Sequence, residues 1–254
     1  MDRPLRQPLQ GTINIIRFNW PLYTIAFGLA MVLVIFGCLN SSGKYICLIA
    51  ASAIFLPVLL SLLTSWWVYD YSPLYQLPWI HQFKEQPTDV IVNINAGFDE
   101  TSDTIKATLP YQHFYIFDFY NPDIHTEASI KRARKRYPAP EETRMIQTHN
   151  IPLNDNSVDK IFVIFSAHEI RDEAERILFF RELHRILKQG GRIFLTEHLR
   201  DIPNLLAYNI GFFHFYPRNL WQRTIKQSGL HIVQQQKTTP FVTTFTILKN
   251  GISS

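Results

Sequence analysis

Two short polar clusters carry side chains able to do chemistry. Ser166-Ala167-His168-Glu169 follows the apolar run Val158–Phe165, and Thr196-Glu197-His198 ends a second run that begins at Arg192. A histidine titrates near neutral pH, so His168 is placed to take a proton from a hydroxyl or thiol nucleophile. The plainer reading is that His168 and Glu169 cap and pack the entry of the next helix. The order His168-Glu169-Ile170-Arg171-Asp172 also invites comparison with a zinc helix. That motif needs a second histidine four residues after the first. Asp172 stands there, so the spacing supports no metal site. The only cysteines, Cys38 and Cys47, lie in apolar runs and read as small buried side chains, not as a metal or disulfide framework.

For the two clusters to meet, the runs that carry them must be neighbouring parallel strands. Val158–Phe165 is apolar on both faces, as suits a central parallel strand covered by helices. Glu173 to Lys188 is helical in period, with Ile177, Phe180, Leu183, His184 and Leu187 on one face, and Gly190-Gly191 supplies the stop. Arg192–Thr196 then starts a strand. Strand, helix and strand of this length make a right-handed βαβ unit. Ligands of open α/β sheets bind outside the carboxyl ends of the strands, which puts both clusters on one rim. Further strands are expected at Asp89–Ile94, His113–Phe117 and Arg144–Thr148, with helices over Glu100–Leu109, Thr126–Tyr137 and Asn219–Ser228. Leu230–Gln236 and Phe241–Leu248 close the sheet, the second as an antiparallel insertion.

Ile151-Pro152-Leu153, Asp155, Ser157-Val158-Asp159 and Arg185-Ile186-Leu187-Lys188-Gln189-Gly190-Gly191 resemble the second half of a class I S-adenosylmethionine-dependent methyltransferase of the type 11 kind. Gln189 stands where the family has proline. The resemblance runs over roughly residues 88 to 248. It implies a Rossmann-like three-layer sandwich with a mostly parallel seven-stranded sheet, S-adenosylmethionine as cofactor, and methyl transfer to a small acceptor. In the family the first strand ends in an acidic residue and a G-x-G-x-G loop. Here Asn93 takes the acidic place, Asn95 and Asp99 take two glycine places, and Gly97 is kept. Asn tolerates the left-handed turn, and Asp99 is placed to cap the next helix instead. By the same resemblance Asp118 receives the ribose hydroxyls, although a loop Asp opening a turn before Asn121-Pro122 is the plainer account. Gln147 or Thr148 falls where adenine is read. The acceptor side would hold Glu169 and His198. Pro203–Tyr216, where the family commonly places a substrate lid, would add Tyr208, His214 and Tyr216; its apolar density points to a lipid-soluble acceptor, or to plain core packing. The depleted glycine loop keeps a rival open: a lapsed fold serving as a membrane-tethered binding or scaffold module.

Composition sets the rest. Hydrophobic residues make up 46% of the 254 and charged ones 18%, apolar for a soluble protein. A net charge of +4 is too small to argue for nucleic acid. The basic run Lys131–Arg136 lacks interleaved aromatics, leaving a solvated face or contact with anionic headgroups. Trp20–Leu39 and Tyr45–Tyr69 carry no charge, and a bilayer core is crossed by about 20 such residues. The organisation expected is a basic N-terminus at 1–19, a two-helix hairpin in the lipid bilayer at 20–69, a linker at 70–87 and the methyltransferase-like domain at 88–254. The aromatic, Pro-rich linker lies either on the headgroups or against the domain. Arg3, Arg6 and Arg17 precede the hairpin and only Lys44 lies in its turn, so the positive-inside rule puts the domain in the cytoplasm.

Overall fold

The computed structural model describes residues 6–80, 86–125 and 127–250. Arg3, Phe83 of the expected linker and the expected helix start at Thr126 lie outside them. The chain divides into two units.

The first unit holds the chain up to Ser72 together with Ile202–Phe212. Helices α1 (Gln10–Phe18), α2 (Trp20–Leu39) and α3 (Lys44–Trp66) are joined by tight turns, and α7 (Ile202–Tyr208) packs on them. The polar N-terminal segment gave no helical signal, yet α1 forms. Its cause lies far along the chain: both Asp70 carboxylate oxygens accept at the start of α1, from Gly11 N–H and Thr12 N–H at 2.8 Å each. A carboxylate there satisfies orphan donors and faces the positive end of the helix dipole. α2 and α3 cross closely at small residues, with Gly37 against Cys47, and Ala30 and Ala51 also buried. Most of their large side chains face outwards, among them Ile25, Phe27, Val32, Ile46 and Ile49. In α7's loop, Asn209 Nδ2 donates to the Pro57 carbonyl of α3.

The second unit is the α/β domain, Pro73–Asp201 with Phe213–Ser254. Its strands are β1 (Val90–Asn95), β2 (His113–Asp118), β3 (Thr143–Met145), β4 (Val158–Ile164), β5 (Leu187–His198), β6 (Leu230–Thr239) and β7 (Val242–Lys249). Their order is β3-β2-β1-β4-β5-β7-β6, parallel through β5, with β7 antiparallel to both neighbours. The sheet is therefore mixed at one edge. Helices α4 (Ser102–Thr108), α5 (Ala128–Arg136), α6 (Glu173–Ile186) and α8 (Arg218–Gln227) complete the domain. The larger core joins Phe179, Phe180, Leu183 and Trp221 to Val92, Ile161, Val163 and Leu195 of the sheet. The other cluster contains Leu77, Trp79 and Ile80, with Trp79 5.1 Å from the Phe194 ring. Of the two readings of the linker, its end follows the one against the domain: Leu77, Trp79 and Ile80 are core, and the compact unit starts at Pro73. α6 stops at Ile186 instead of Lys188, and β5 begins at once. Register passes from Val158↔Leu187 to Lys160↔Arg192, so Lys188–Gly191 loops out of the ladder, with Gly190 at φ 79.

Candidate functional site

The rim of β1 and β2 is where the expected cofactor residues meet. Asn95 and Asp118 are direct partners across the two strands, so the two strand tips end side by side. Gly97 follows at φ 95, a conformation that side chains disfavour. Asn95 Oδ1 accepts from Gly97 N–H at 3.0 Å, which shapes that turn. Asn93 turns to the following segment, donating to Ser102 Oγ at 2.8 Å and to Thr101 Oγ1 at 3.1 Å. Asp99 Oδ1 accepts from Thr101 N–H and Ser102 N–H, capping the start of α4. Buried Asn93 Oδ1, Asn95 Nδ2 and Asp99 Oδ2 have no hydrogen-bond partner among the described residues.

Asp118 is fully buried and engaged on both oxygens. Oδ1 accepts from Tyr120 N–H at 2.8 Å, and Oδ2 lies 2.5 Å from Arg134 Nη1. The same Arg134 group lies 2.9 Å from the position a Gly97 Cβ would take, and the Tyr120 ring lies 3.0 Å from it. The guanidinium stands over that ring at 4.4 Å. So the space between Gly97 and Asp118 is held by Arg134 from α5 and by Tyr120. Phe98 packs on Tyr137 instead. Arg134 is still 29% exposed and sits on a flexible stem, so it has a solvent route out of the slot.

The two adenine-side residues follow β3 beside the same rim, where Ile146 N–H donates to the Asp118 carbonyl at 3.0 Å, but their partners lie elsewhere. β3 ends at Met145, short of the expected strand. Thr148 Oγ1 donates to Glu175 at 2.7 Å, and exposed Gln147 bridges to Asn150. A groove of about 450 Å³ lined by His149–Asn154, Glu182 and Arg185 contains none of the expected cofactor residues.

The rim of β4 and β5 carries the second constellation. Phe165 closes β4 at φ 51, a strained place for a bulky side chain, and turns the chain into the short helix Ala167–Glu169. His168 Nδ1 lies 2.7 Å from Glu197 Oε2, and its Nε2 lies 3.2 Å from Glu169 Oε1. Burial would push this histidine down, but Glu197 and Glu169 outweigh it and the group is pushed up to about 10. That direction favours the protonated ring over the free base that a proton acceptor needs. For Glu169 burial works the other way; hydrogen bonds from His168 and His214 win and hold it well below the usual carboxylate range. His214 comes in beside them, with Nδ1 2.9 Å from Glu127 Oε1 and Nε2 3.4 Å from Glu169 Oε1. Arg171 Nη2 lies 2.6 Å from His214 Nδ1.

The other expected acceptor residues separate. His198 is stacked between Phe165 and Phe215, and its Nδ1 lies 3.0 Å from the Phe241 carbonyl, a packed role. Tyr216 stands edge-on to Trp221 with Arg176 4.6 Å over its ring. Tyr208 belongs to the first unit, in α7. Glu127 went unread, Arg134 was read only as part of a basic run, and Glu197 was placed on the rim without a role: each acts through a partner distant in sequence, which no local spacing marks.

Residues 106–195 match the family model described as a methyltransferase domain. The ubiquinone/menaquinone biosynthesis C-methyltransferase UbiE of Geotalea daltonii is 22% identical over 137 residues, 54% of this chain and 56% of that protein. The protein of the same name from an Enterobacter strain is 33% identical over 70 residues, 27% of each. The chain spans about half the length of the first curated relatives it matches. A SAM-dependent methyltransferase structure from Aquifex aeolicus has a TM-score of 0.52 at 14% identity, covering 76% of this chain and 98% of that one. The segment 106–195 is thus similar to a methyltransferase domain, and the chain shares the fold of that SAM-dependent methyltransferase structure.

Proposed function

We propose that the α/β domain binds S-adenosylmethionine at the β1–β2 rim and transfers its methyl group to a small apolar acceptor. The observation that carries the reading is the place of Gly97, at φ 95, two residues beyond Asn95, whose strand partner is the buried Asp118. When bound, the cofactor supplies a methyl group made electrophilic by its sulfonium. The protein then has to position two reactants, and orientation alone is a large part of such catalysis. Asp118 accepts the ribose hydroxyls once Arg134 has turned away, because a carboxylate can accept two hydrogen bonds. Gly97 lets the ligand approach the backbone. The unpartnered Asn93 Oδ1, Asn95 Nδ2 and Asp99 Oδ2 are buried polar atoms that a ligand would satisfy. His168, charged between Glu169 and Glu197, orients an acceptor rather than deprotonating it. An apolar, ring-bearing acceptor agrees with relatives named for ubiquinone and menaquinone biosynthesis.

The membrane is part of the same proposal: α2 and α3 cross a bilayer as a hairpin, with the domain on the cytoplasmic side. The support is burial. Only 11% of each apolar window is covered, whereas a core helix of a soluble protein is mostly buried. The full chain should stay with the membrane after carbonate washing; release into the supernatant would contradict the anchor.

A second reading is favoured by one observation. The Arg134–Asp118 pair already fills the slot, as it would in a lapsed fold kept as a tethered binding module. Calorimetric titration of the detergent-solubilised chain with S-adenosylhomocysteine separates the two. Binding that weakens at least tenfold in Asp118→Ala supports the enzyme. Absence of heat at millimolar ligand supports the module.

A further inference from the structure

We propose that His168, Glu169 and His214 form a binding site for a divalent transition-metal ion of the zinc class. The inference uses none of the residues of the β1–β2 rim and stands apart from the cofactor reading.

Spacing is the first argument. Glu169 Oε1 lies 3.2 Å from His168 Nε2 and 3.4 Å from His214 Nε2, and all three ligand atoms fall within 4.8 Å of one another. Around zinc, with bonds of about 2.0–2.1 Å, neighbouring ligands of a tetrahedron stand about 3.3 Å apart. Glu169 already holds that separation from each histidine, and the two histidines lie within 4.8 Å of each other.

The second argument is what stands behind each histidine. Glu197 lies 2.7 Å from His168 Nδ1, and Glu127 lies 2.9 Å from His214 Nδ1. When each Nδ1–H donates to its carboxylate, each neutral ring presents its Nε2 lone pair to the space beside Glu169 Oε1. Carboxylates behind histidine ligands orient metal sites in this way, raising ligand basicity and fixing the tautomer. Plain packing of a histidine calls for one polar partner; here both rings have two carboxylates each.

Charge is the third. Glu127, Glu169 and Glu197 converge on the cluster, and Arg171 is the cation beside them, 3.4 Å from Glu127. A bound ion takes the place of the Nε2 protons, and with both rings then neutral two negative charges are left over, which a dication balances. Two imidazoles and one carboxylate suit zinc, iron or nickel, and suit magnesium or calcium poorly. Three protein ligands leave a fourth position open, as in catalytic rather than structural sites. His168 and Glu169 are 14% and 12% exposed, so an ion can enter and stay largely dry. Arg171 Nη2 lies 2.8 Å from His214 Nε2 and must withdraw for an ion to bind.

The test uses the full chain in detergent, stripped with a chelator and titrated with Zn²⁺ by calorimetry and with Co²⁺ by visible absorption. The expected result is one equivalent bound, with the intense Co²⁺ bands of a four-coordinate site. His168→Ala and His214→Ala should each lose that uptake. Glu197→Gln should weaken it by roughly 10–100-fold while leaving every ligand in place. Arg171→Gln should tighten it, and His231→Ala, at an exposed histidine on β6, should leave it unchanged. Circular dichroism identifies any variant that loses its fold, and Glu169→Gln, which keeps the side-chain shape, then decides in its place. No uptake by the wild-type chain at millimolar metal, or uptake that survives the loss of both histidines, overturns the site.

Discussion

Arg134→Ala should loosen the fold and strengthen nucleoside binding together, because one contact governs both. Arg134 Nη1 lies 2.5 Å from Asp118 Oδ2, and the guanidinium stands 4.4 Å over the Tyr120 ring. A hydrogen bond to a charged group contributes about 1.5–3 kcal/mol, and a cation–π contact at an exposed site about 0.5–1 kcal/mol. Arg134 is 29% exposed, so solvent screening moves the sum to the low end, about 2 kcal/mol. The wild-type protein must give up that contact to admit a ribose, and the alanine variant has nothing to give up. At 1.4 kcal/mol per tenfold, about 2 kcal/mol becomes a roughly 30-fold lower Kd for S-adenosylhomocysteine. Unfolding in urea measures the loss of stability and calorimetry measures the gain in affinity. Arg134→Lys keeps the charge without the planar fork and should fall between. A Kd that is unchanged or higher in Arg134→Ala refutes the idea that this side chain competes with ligand for Asp118.

Other consequences follow from packing and charge. Gly97→Ala should cost about 1–3 kcal/mol, since φ 95 is strained for alanine and its Cβ would press on Tyr120 and Arg134; an unchanged urea midpoint would mean that the loop relaxes freely. Phe179→Ala should cost about 3–5 kcal/mol, because the ring is fully buried between Phe119 and Phe180; a loss under about 1 kcal/mol would mean that this core repacks. Glu182 is held below its usual range by its hydrogen bonds with Arg185, against the opposing effect of burial and with help from Ile151 N–H. A depressed carboxylate stabilises the fold above its unfolded value of about 4.3, and that stability disappears as pH falls through the folded value. Glu182→Gln should therefore lower the urea midpoint at neutral pH, with the gap to wild type closing in acid. A gap that stays constant down to low pH would remove Glu182 from this account.

What could be read from the sequence was whatever depends on local pattern. The apolar run of β4, the helical period of α6 and the glycines after it mark the βαβ unit that presents His168 and Glu197 on one rim. The glycine stop did not separate α6 from β5 as expected, because Leu187 already pairs with Val158 before the loop at Lys188–Gly191. What stayed hidden depends on partners far apart in the chain. α1 is capped by Asp70, a partner that no local pattern marks. Trp79 and Ile80 looked as much like interface anchors as like core, since an aromatic, Pro-rich stretch suits both, and burial decides for core. Arg134 sits in a run of basic residues that reads as one solvated face, and only the fold turns one of them onto a buried carboxylate. His214 approaches His168 with their rings 5.0 Å apart, which no motif spacing encodes.

The central claim is that the tips of β1 and β2 still admit a nucleoside despite the lost glycines. A crystal structure of the protein with saturating S-adenosylhomocysteine tests it most directly. The account predicts ribose hydroxyls on the Asp118 carboxylate, ligand against the Gly97 backbone, and Arg134 swung into solvent. An intact Arg134–Asp118 pair, with no ligand at that rim, would contradict it.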